Sequence, residues 1–243
     1  MRAFLRLILF ISILVSQQFQ TPKIEYNPKT YLCFKTDELI SIDGKMDEPT
    51  WESAPWTDSF VDIEGNLKPA PFFETKVKML WDDNYFYFGA FLEEPHIWAT
   101  LEARDAVIFR DNDFEIFLDP DGDTHNYYEL EINALETEWD LLLLKPYRDQ
   151  RKVAVDSWDI PGLVSKVAID GTLNNSSDRD KSWSVEIAIP WKALEECAPN
   201  FHPKDGEQWK VNFSRVQWDV EILDNQYVKT DLPEFNWVWS PQG

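Results

Sequence analysis

Alternation of apolar and polar residues recurs along this chain, and it leaves little besides antiparallel sheet as an outcome. In residues 75–81, TKVKMLW, the side chains of Val77, Met79 and Trp81 alternate with lysines. The turn Asp82-Asp83-Asn84 follows, and the next run, YFYFGAFLEE, sends Phe86, Phe88, Ala90 and Leu92 to one face. SWSVEIAIP (182–190) sets Trp183, Val185, Ile187 and Ile189 against Ser184, Glu186 and Ala188. QWKVNFSRVQW (208–218) sets Trp209, Val211 and Phe213 against Lys210, Asn212 and Ser214. A period of two is that of a half-buried strand. Helical signals are short: Asp47 offers an N-cap to EPTWESA with Pro49 in the first turn, and WKALEEC (191–197) has the composition for about two turns. Turn clusters such as DPDGD, PYRDQ and HPKDGEQ punctuate the rest, and there is neither an internal repeat nor a dividing linker. The expectation is an all-β chain: a single antiparallel jelly-roll or immunoglobulin-like β-sandwich with short helical turns, spanning residues 39–243.

The densest chemistry lies in DNDFEIFLDPDGDTHNYYELEIN (111–133). Laid out as two strands, Phe114, Ile116, Leu118, Tyr128, Leu130 and Ile132 form a core face. The opposite face carries Asp113, Glu115, Phe117, Asp119, Tyr127, Glu129, Glu131 and Asn133, with PDGDTH as the connecting loop. Asp119, Asp121 and Asp123 follow the alternate spacing of an EF-hand, but Thr124 and Leu130 stand where that loop requires Gly and Glu. An irregular calcium site on these three aspartates competes with a solvated turn. A catalytic pair is poorly specified, because Glu115, Glu129 and Glu131 satisfy almost any carboxylate spacing. Carboxylates and amides beside aromatic rings on a rigid sheet suit hydroxyl hydrogen bonding and stacking on a pyranose face. A sheet face that is merely solvated fits the same periodicity.

Composition narrows the partners. Lys+Arg 23 against Asp+Glu 44 gives a net charge of −21, which repels nucleic-acid backbones and anionic lipid surfaces. Twelve tryptophans either fill a sheet core or present platforms to a ligand. At the N-terminus, Arg2 and Arg6 border an apolar run over residues 7–15, too short to span a bilayer and suited to an export signal within residues 1–20. The expected destination is the periplasm or the extracellular medium, with no membrane span after signal removal. Residues 21–38 read as a loosely held lead-in. Cys33 and Cys197 have the option of pairing in an oxidising compartment.

At this point the chain resembles the family 9 carbohydrate-binding modules. The segments that carry the resemblance are IDGKMDEPTWESAPW, TKVKMLWDDNYFYFGAFLEE, DNDFEIFLDPDGDTHNYYELEINA, WSVEIAIPWKAL, QWKVNFSRVQW and NWVWSPQG, in the family's order over residues 42–243. The resemblance implies a sandwich that binds sugar without catalysis, holding chain ends or short oligosaccharides between two aromatic rings. By position, Glu115 matches the family's sugar-bonding acid, Asn133 a ligand-bonding amide, and Phe109 a stacking tryptophan. Glu131 replaces an arginine, and the second stacking ring and one further strand are expected beyond residue 243. Trp98, Arg104, Trp139 and Trp158 are candidates for a platform or hydroxyl donor near the same face. The resemblance further implies an oligo- or polysaccharide ligand, a possible glycoside hydrolase partner acting in trans, and no cofactor beyond the calcium some relatives carry. Two rival readings stay open. Cytochrome-type relatives bind haem b, for which Met46, Met79, His96, His125 and His202 are available; the hairpin acids would serve a glycosidase.

Overall fold

The computed structural model describes residues 24–149, 152–198, 200 and 202–241. The proposed export signal lies outside these residues. Among them run fourteen strands: β1 (Phe34–Lys35), β2 (Val61–Asp62), β3 (Thr75–Trp81), β4 (Tyr85–Glu93), β5 (Asp113–Asp119), β6 (Tyr127–Asn133), β7 (Glu138–Leu143), β8 (Ala154–Val155), β9 (Val164–Asp170), β10 (Ser182–Pro190), β11 (Lys210–Gln217), β12 (Val220–Leu223), β13 (Gln226–Lys229) and β14 (Phe235–Val238). Five form one sheet in the order β1-β3-β4-β10-β9, and seven form the other in the order β2-β14-β11-β5-β6-β7-β8. The β12–β13 hairpin stands apart as its own ribbon. All pairings are antiparallel except β1 with β3, which is parallel. The chain is thus the β-sandwich that the alternation predicts.

The alternating apolar sets meet between the sheets. Val77, Phe88, Ala90, Leu92, Val185, Ile187 and Ile189 from one sheet pack against Phe114, Ile132 and Phe213 from the other, each fully buried. Phe213 lies 5.9 Å from both Phe88, edge to face, and Phe114, stacked. Of the twelve tryptophans only Trp56 is exposed, so the indole content mainly serves this packing.

The outer face of the five-stranded sheet is not solvated, contrary to a simple polar-out reading of β10. A five-residue helix, α1 (Pro49–Ser53), and the preceding loop lie across it. Trp51 and Ala54 form a second core with Leu80, Tyr87 and Ala188. Beneath them Glu186 is fully buried, its Oε2 accepting the Asp43 and Gly44 amides at 2.8 Å each and its Oε1 the Trp51 indole N–H at 2.8 Å. Gly44 sits at φ +91°, and a Cβ there would lie 2.6 Å from the Ala168 amide nitrogen, so only glycine fits. The N-cap of α1 is Glu48, not Asp47, and no side chain caps it, because the Glu48 carboxylate turns back to the Ser41 amide.

Two further expectations change, and one open question is decided. WKALEEC forms only a short 3₁₀ turn, Trp191–Leu194, since Pro190 still belongs to β10. The described part of the lead-in is fastened: the Tyr31 hydroxyl donates to the Pro55 carbonyl at 2.6 Å and accepts the Met79 amide at 3.1 Å. Cys33 and Cys197 are both free thiols rather than a disulfide, and burial pushes the Cys33 thiol up to about 12.

Candidate functional site

The seven-stranded sheet positions the hairpin acids as their spacing predicts. Asp113 pairs with Asn133, Glu115 with Glu131 and Phe117 with Glu129, so directly opposed residues share one face. On one flank Ser214 of β11 is opposite Glu115; on the other, Trp139 of β7 is opposite Glu131. This face does not lie open to water. The segment after β7 brings Pro146, Tyr147 and Arg148 over one end, and the turn before β5 brings Phe109 over the other. Between them is a cleft of about 580 Å³, a size typical of a small-molecule site. Its lining includes Phe109, Glu115, Glu129, Glu131, Trp139 and Tyr147.

Enclosure changes the acids. Glu129 and Glu131 are each 2% exposed, Glu115 7% and Asp113 not at all. Burial pushes Glu115 up to about 7. Burial, then the neighbouring charges of Glu115, Asp113 and Glu129, push Glu131 up to about 11. Asp113 and Glu129 are likewise held well above the usual carboxylate range by burial and by Glu115. Fixed donors satisfy part of the group. The Phe109 amide donates to Glu131 Oε2 at 3.0 Å, the Val216 amide to Asp113 Oδ1 at 2.9 Å, and the Tyr147 hydroxyl to Glu129 Oε2. The Ser214 hydroxyl stands beside Glu115. Such a cleft offers several oxygen acceptors to hydroxyls, with rings alongside for C–H faces. Phe109 is 38% exposed and Trp139 half-buried, so both present ring surface to it.

Other predicted residues lie elsewhere. Asn133 is fully buried and structural: its Oδ1 accepts the Leu135 and Thr137 amides, and its Nδ2 donates to the Leu101 carbonyl and Asp111. Trp98 is 5% exposed, away from the cleft, beneath Lys229, whose ammonium lies 3.7 Å from the Trp218 ring centre. Arg104 is engaged on the opposite side of β7 by Glu138, by Asp140 at 2.6 Å and by Asp159 at 3.2 Å. The Trp158 ring tilts against Tyr128 and its N–H donates to Glu196. In the hairpin loop, Asp119 accepts the Gly122 and Thr124 amides and Asp123 accepts the His125 amide, while Lys210 donates to the Gly122 carbonyl. The loop is therefore closed by its own donors, and an ion there would have to compete with them. Four of the five haem candidates lie apart: Met46 packs on Gly89, Met79 is in the main core, His96 lies by Tyr227 and His125 at the hairpin tip.

Tyr147 and Arg148 escaped the sequence reading because PYRDQ carries turn signals and no period. Asn212 and Ser214, by contrast, line the cleft from the polar side of an alternation already visible. A second cleft, about 690 Å³, opens at one end of the sandwich between Tyr31, Met79, Trp81, Phe86 and Trp209. It is rich in rings but lacks the converging carboxylates.

Residues 42–226 match the family described as carbohydrate family 9 binding domain-like. The chain belongs to this family. No curated protein sequence matches it. Among solved structures, a family 9 carbohydrate-binding module from Caldicellulosiruptor kristjanssonii in complex with cellotriose aligns at TM-score 0.52 and 17% identity, over 84% of this chain and 82% of that one. The same kind of module from that organism in complex with glucose aligns at TM-score 0.52 and 17% identity, over 84% and 83%. A candidate carbohydrate-binding protein from Bacteroides uniformis ATCC 8492 aligns at TM-score 0.59 and 16% identity, over 86% and 88%. At these identities the structural likeness establishes the family 9 fold, while the family match itself rests on sequence.

Proposed function

We propose that this family 9 domain binds carbohydrate in the cleft over β5 and β6 and does not transform it. One observation carries the reading: Glu115, Glu129 and Glu131 converge with Phe109, Trp139 and Tyr147 in one partly enclosed space. Acceptors on a rigid floor fix hydroxyls, and rings cover the apolar sugar face. The C. kristjanssonii modules, bound to cellotriose and to glucose, make gluco-oligosaccharides the first ligands to try. Turnover is not part of the proposal. Acid and base carboxylates of a glycosidase flank the scissile bond, whereas Glu115 and Glu131 are directly opposed on paired strands and both belong to one floor of the cleft. The charged and apolar N-terminus supports export, hence a role in polysaccharide capture beside a separate glycoside hydrolase. No helix among the described residues is long and apolar enough to cross a membrane.

The test is calorimetric titration with glucose, cellotriose and xylo-oligosaccharides, followed by chromatography of the recovered sugar. Saturable binding, lost in Glu115→Ala, with the sugar recovered intact, is the expected result. A folded protein with flat traces for all of these and for a broad glycan array would end the proposal, and cleaved sugar would replace it with catalysis.

A further inference from the structure

Among the described residues no ion pair reaches the acids on the floor of the cleft, although Arg148 and Lys210 are among its lining residues. Glu115, Glu129 and Glu131 line that floor, and Asp113, fully buried, stands on the same face one pleat further along β5. Such a group must hold protons or a cation, because an uncompensated buried carboxylate is too costly to keep.

The geometry also suits a cation. Asp113, Glu115 and Glu131 each present one oxygen such that all three lie within 4.8 Å of one another. The backbone bonds one oxygen of two of them: the Val216 amide donates to Asp113 Oδ1, and the Phe109 amide donates to Glu131 Oε2. Asp113 Oδ2 is left buried with no hydrogen-bond partner at all. A fully buried aspartate with one orphaned oxygen, set beside two free glutamate oxygens, is poorly explained as structural support. It is well explained as a ligand. Oxygen-only donors of this hardness suit calcium, whose bonds of about 2.3–2.6 Å place neighbouring ligand oxygens within such a span. We propose that Asp113, Glu115 and Glu131 hold a hard divalent cation, calcium in type, at the bottom of the cleft. Glu115 is the most exposed of the three, so the open coordination positions face the cleft, where hydroxyls of a ligand would complete the shell. The site is distinct from the hairpin loop, whose aspartates are occupied by the loop's own amides. It also stands independently of the sugar proposal, since the ion is titrated alone.

The experiment is a calorimetric titration of calcium chloride into full-length, chelator-treated protein, with thermal unfolding in parallel. The wild type should bind one calcium ion in this cleft and unfold at a higher temperature with it. Asp113→Asn and Glu131→Gln should weaken that binding by about a hundredfold or more, and the doubly substituted loop variant Asp121→Asn/Asp123→Asn should retain it. No calcium binding by the wild type overturns the proposal, as does binding that survives Asp113→Asn or disappears in the loop variant. If one cleft variant fails to fold, the other decides together with the loop variant. Calcium binding that is lost in the cleft variants, without any sugar binding, would uphold this site and end the sugar proposal; the reverse would do the opposite.

Discussion

Glu186→Gln is the most exacting test of how the sandwich is sealed. The carboxylate serves three donors at 2.8 Å with its two oxygens: Asp43 N–H and Gly44 N–H on Oε2, Trp51 Nε1–H on Oε1. Glutamine has the same shape but a single acceptor oxygen. If that oxygen keeps the two amides, its NH₂ group is forced against the indole N–H of a tryptophan that is 1% exposed. Loss of one hydrogen bond to a charged group costs about 1.5–3 kcal/mol, and the orphaned buried donor adds to this. Burial pushes the Glu186 carboxyl above its ordinary range, so removing the charge returns part of the cost. The net expectation is a destabilisation of about 2–3 kcal/mol. Urea unfolding followed by tryptophan fluorescence and far-ultraviolet circular dichroism measures it, with an unchanged denaturant slope showing that the unfolded state is not what moved. In a Trp51→Phe background the donor is already gone, and the same substitution should cost about 1–2 kcal/mol less. A cost below about 0.5 kcal/mol, or strict additivity with Trp51→Phe, would refute the hub.

Three other outcomes follow from positions already described. Gly44→Ala must both hold φ +91° and push a methyl to 2.6 Å from backbone, and should lose about 3 kcal/mol or more. Gly122→Ala, at φ +74° with open space around it, should lose only about 1–2 kcal/mol in the same thermal melts. Trp139→Ala should weaken sugar binding by about 1–2 kcal/mol, roughly five- to thirtyfold by calorimetry, while leaving the melting temperature within a few degrees. In chelator, Glu115 with its carboxyl at about 7 and Glu131 at about 11, against 4.5 for a free glutamate, keep protons that the unfolded chain releases. Their contribution is therefore fullest below pH 4.5 and is lost as pH rises through 7 and on towards 11. Unfolding free energies that increase from pH 5 to pH 8 would contradict this.

Much of the sandwich was legible because its strands alternate strictly. The parity of residues 113–119, 127–133 and 210–217 assigned each side chain to the right face, and Glu115, Glu129, Glu131 and Ser214 duly share the cleft. Parity says nothing, however, about what lies over a face. The hairpin acids fitted a ligand-facing and a merely solvated face alike, and only the fold shows residues 146–148 and the turn at Phe109 enclosing them. Leu80, Tyr87, Gly89 and Ala188 were a usable signal that the outer side of the five-stranded sheet is also covered, since small and apolar residues there have no reason to face water. Asn133 shows the opposite limit. Its place at a strand end suits a ligand contact as well as a turn, and only the folded loop, with the Leu135 and Thr137 amides on its oxygen, decides for the turn. Arg104 and Trp98 were placed by proximity in sequence, and their actual partners, Asp140, Asp159 and Lys229, come from distant segments.

The Glu186 hub also dictates an order of events. The indole of Trp51 and the acceptor it needs are 135 residues apart in the chain. A polypeptide emerging from its N-terminus presents the cover long before the strand it must cover exists. Contacts of this separation are slow to close and cannot be anticipated by local structure. Trp51 has no acceptor for its indole until β10 is present, so the five-stranded sheet is expected to be sealed only after that strand pairs. Until β10 pairs, the apolar outer side of the five-stranded sheet, with Leu80 and Tyr87, has nothing over it, so an incomplete chain exposes there the kind of surface that aggregates.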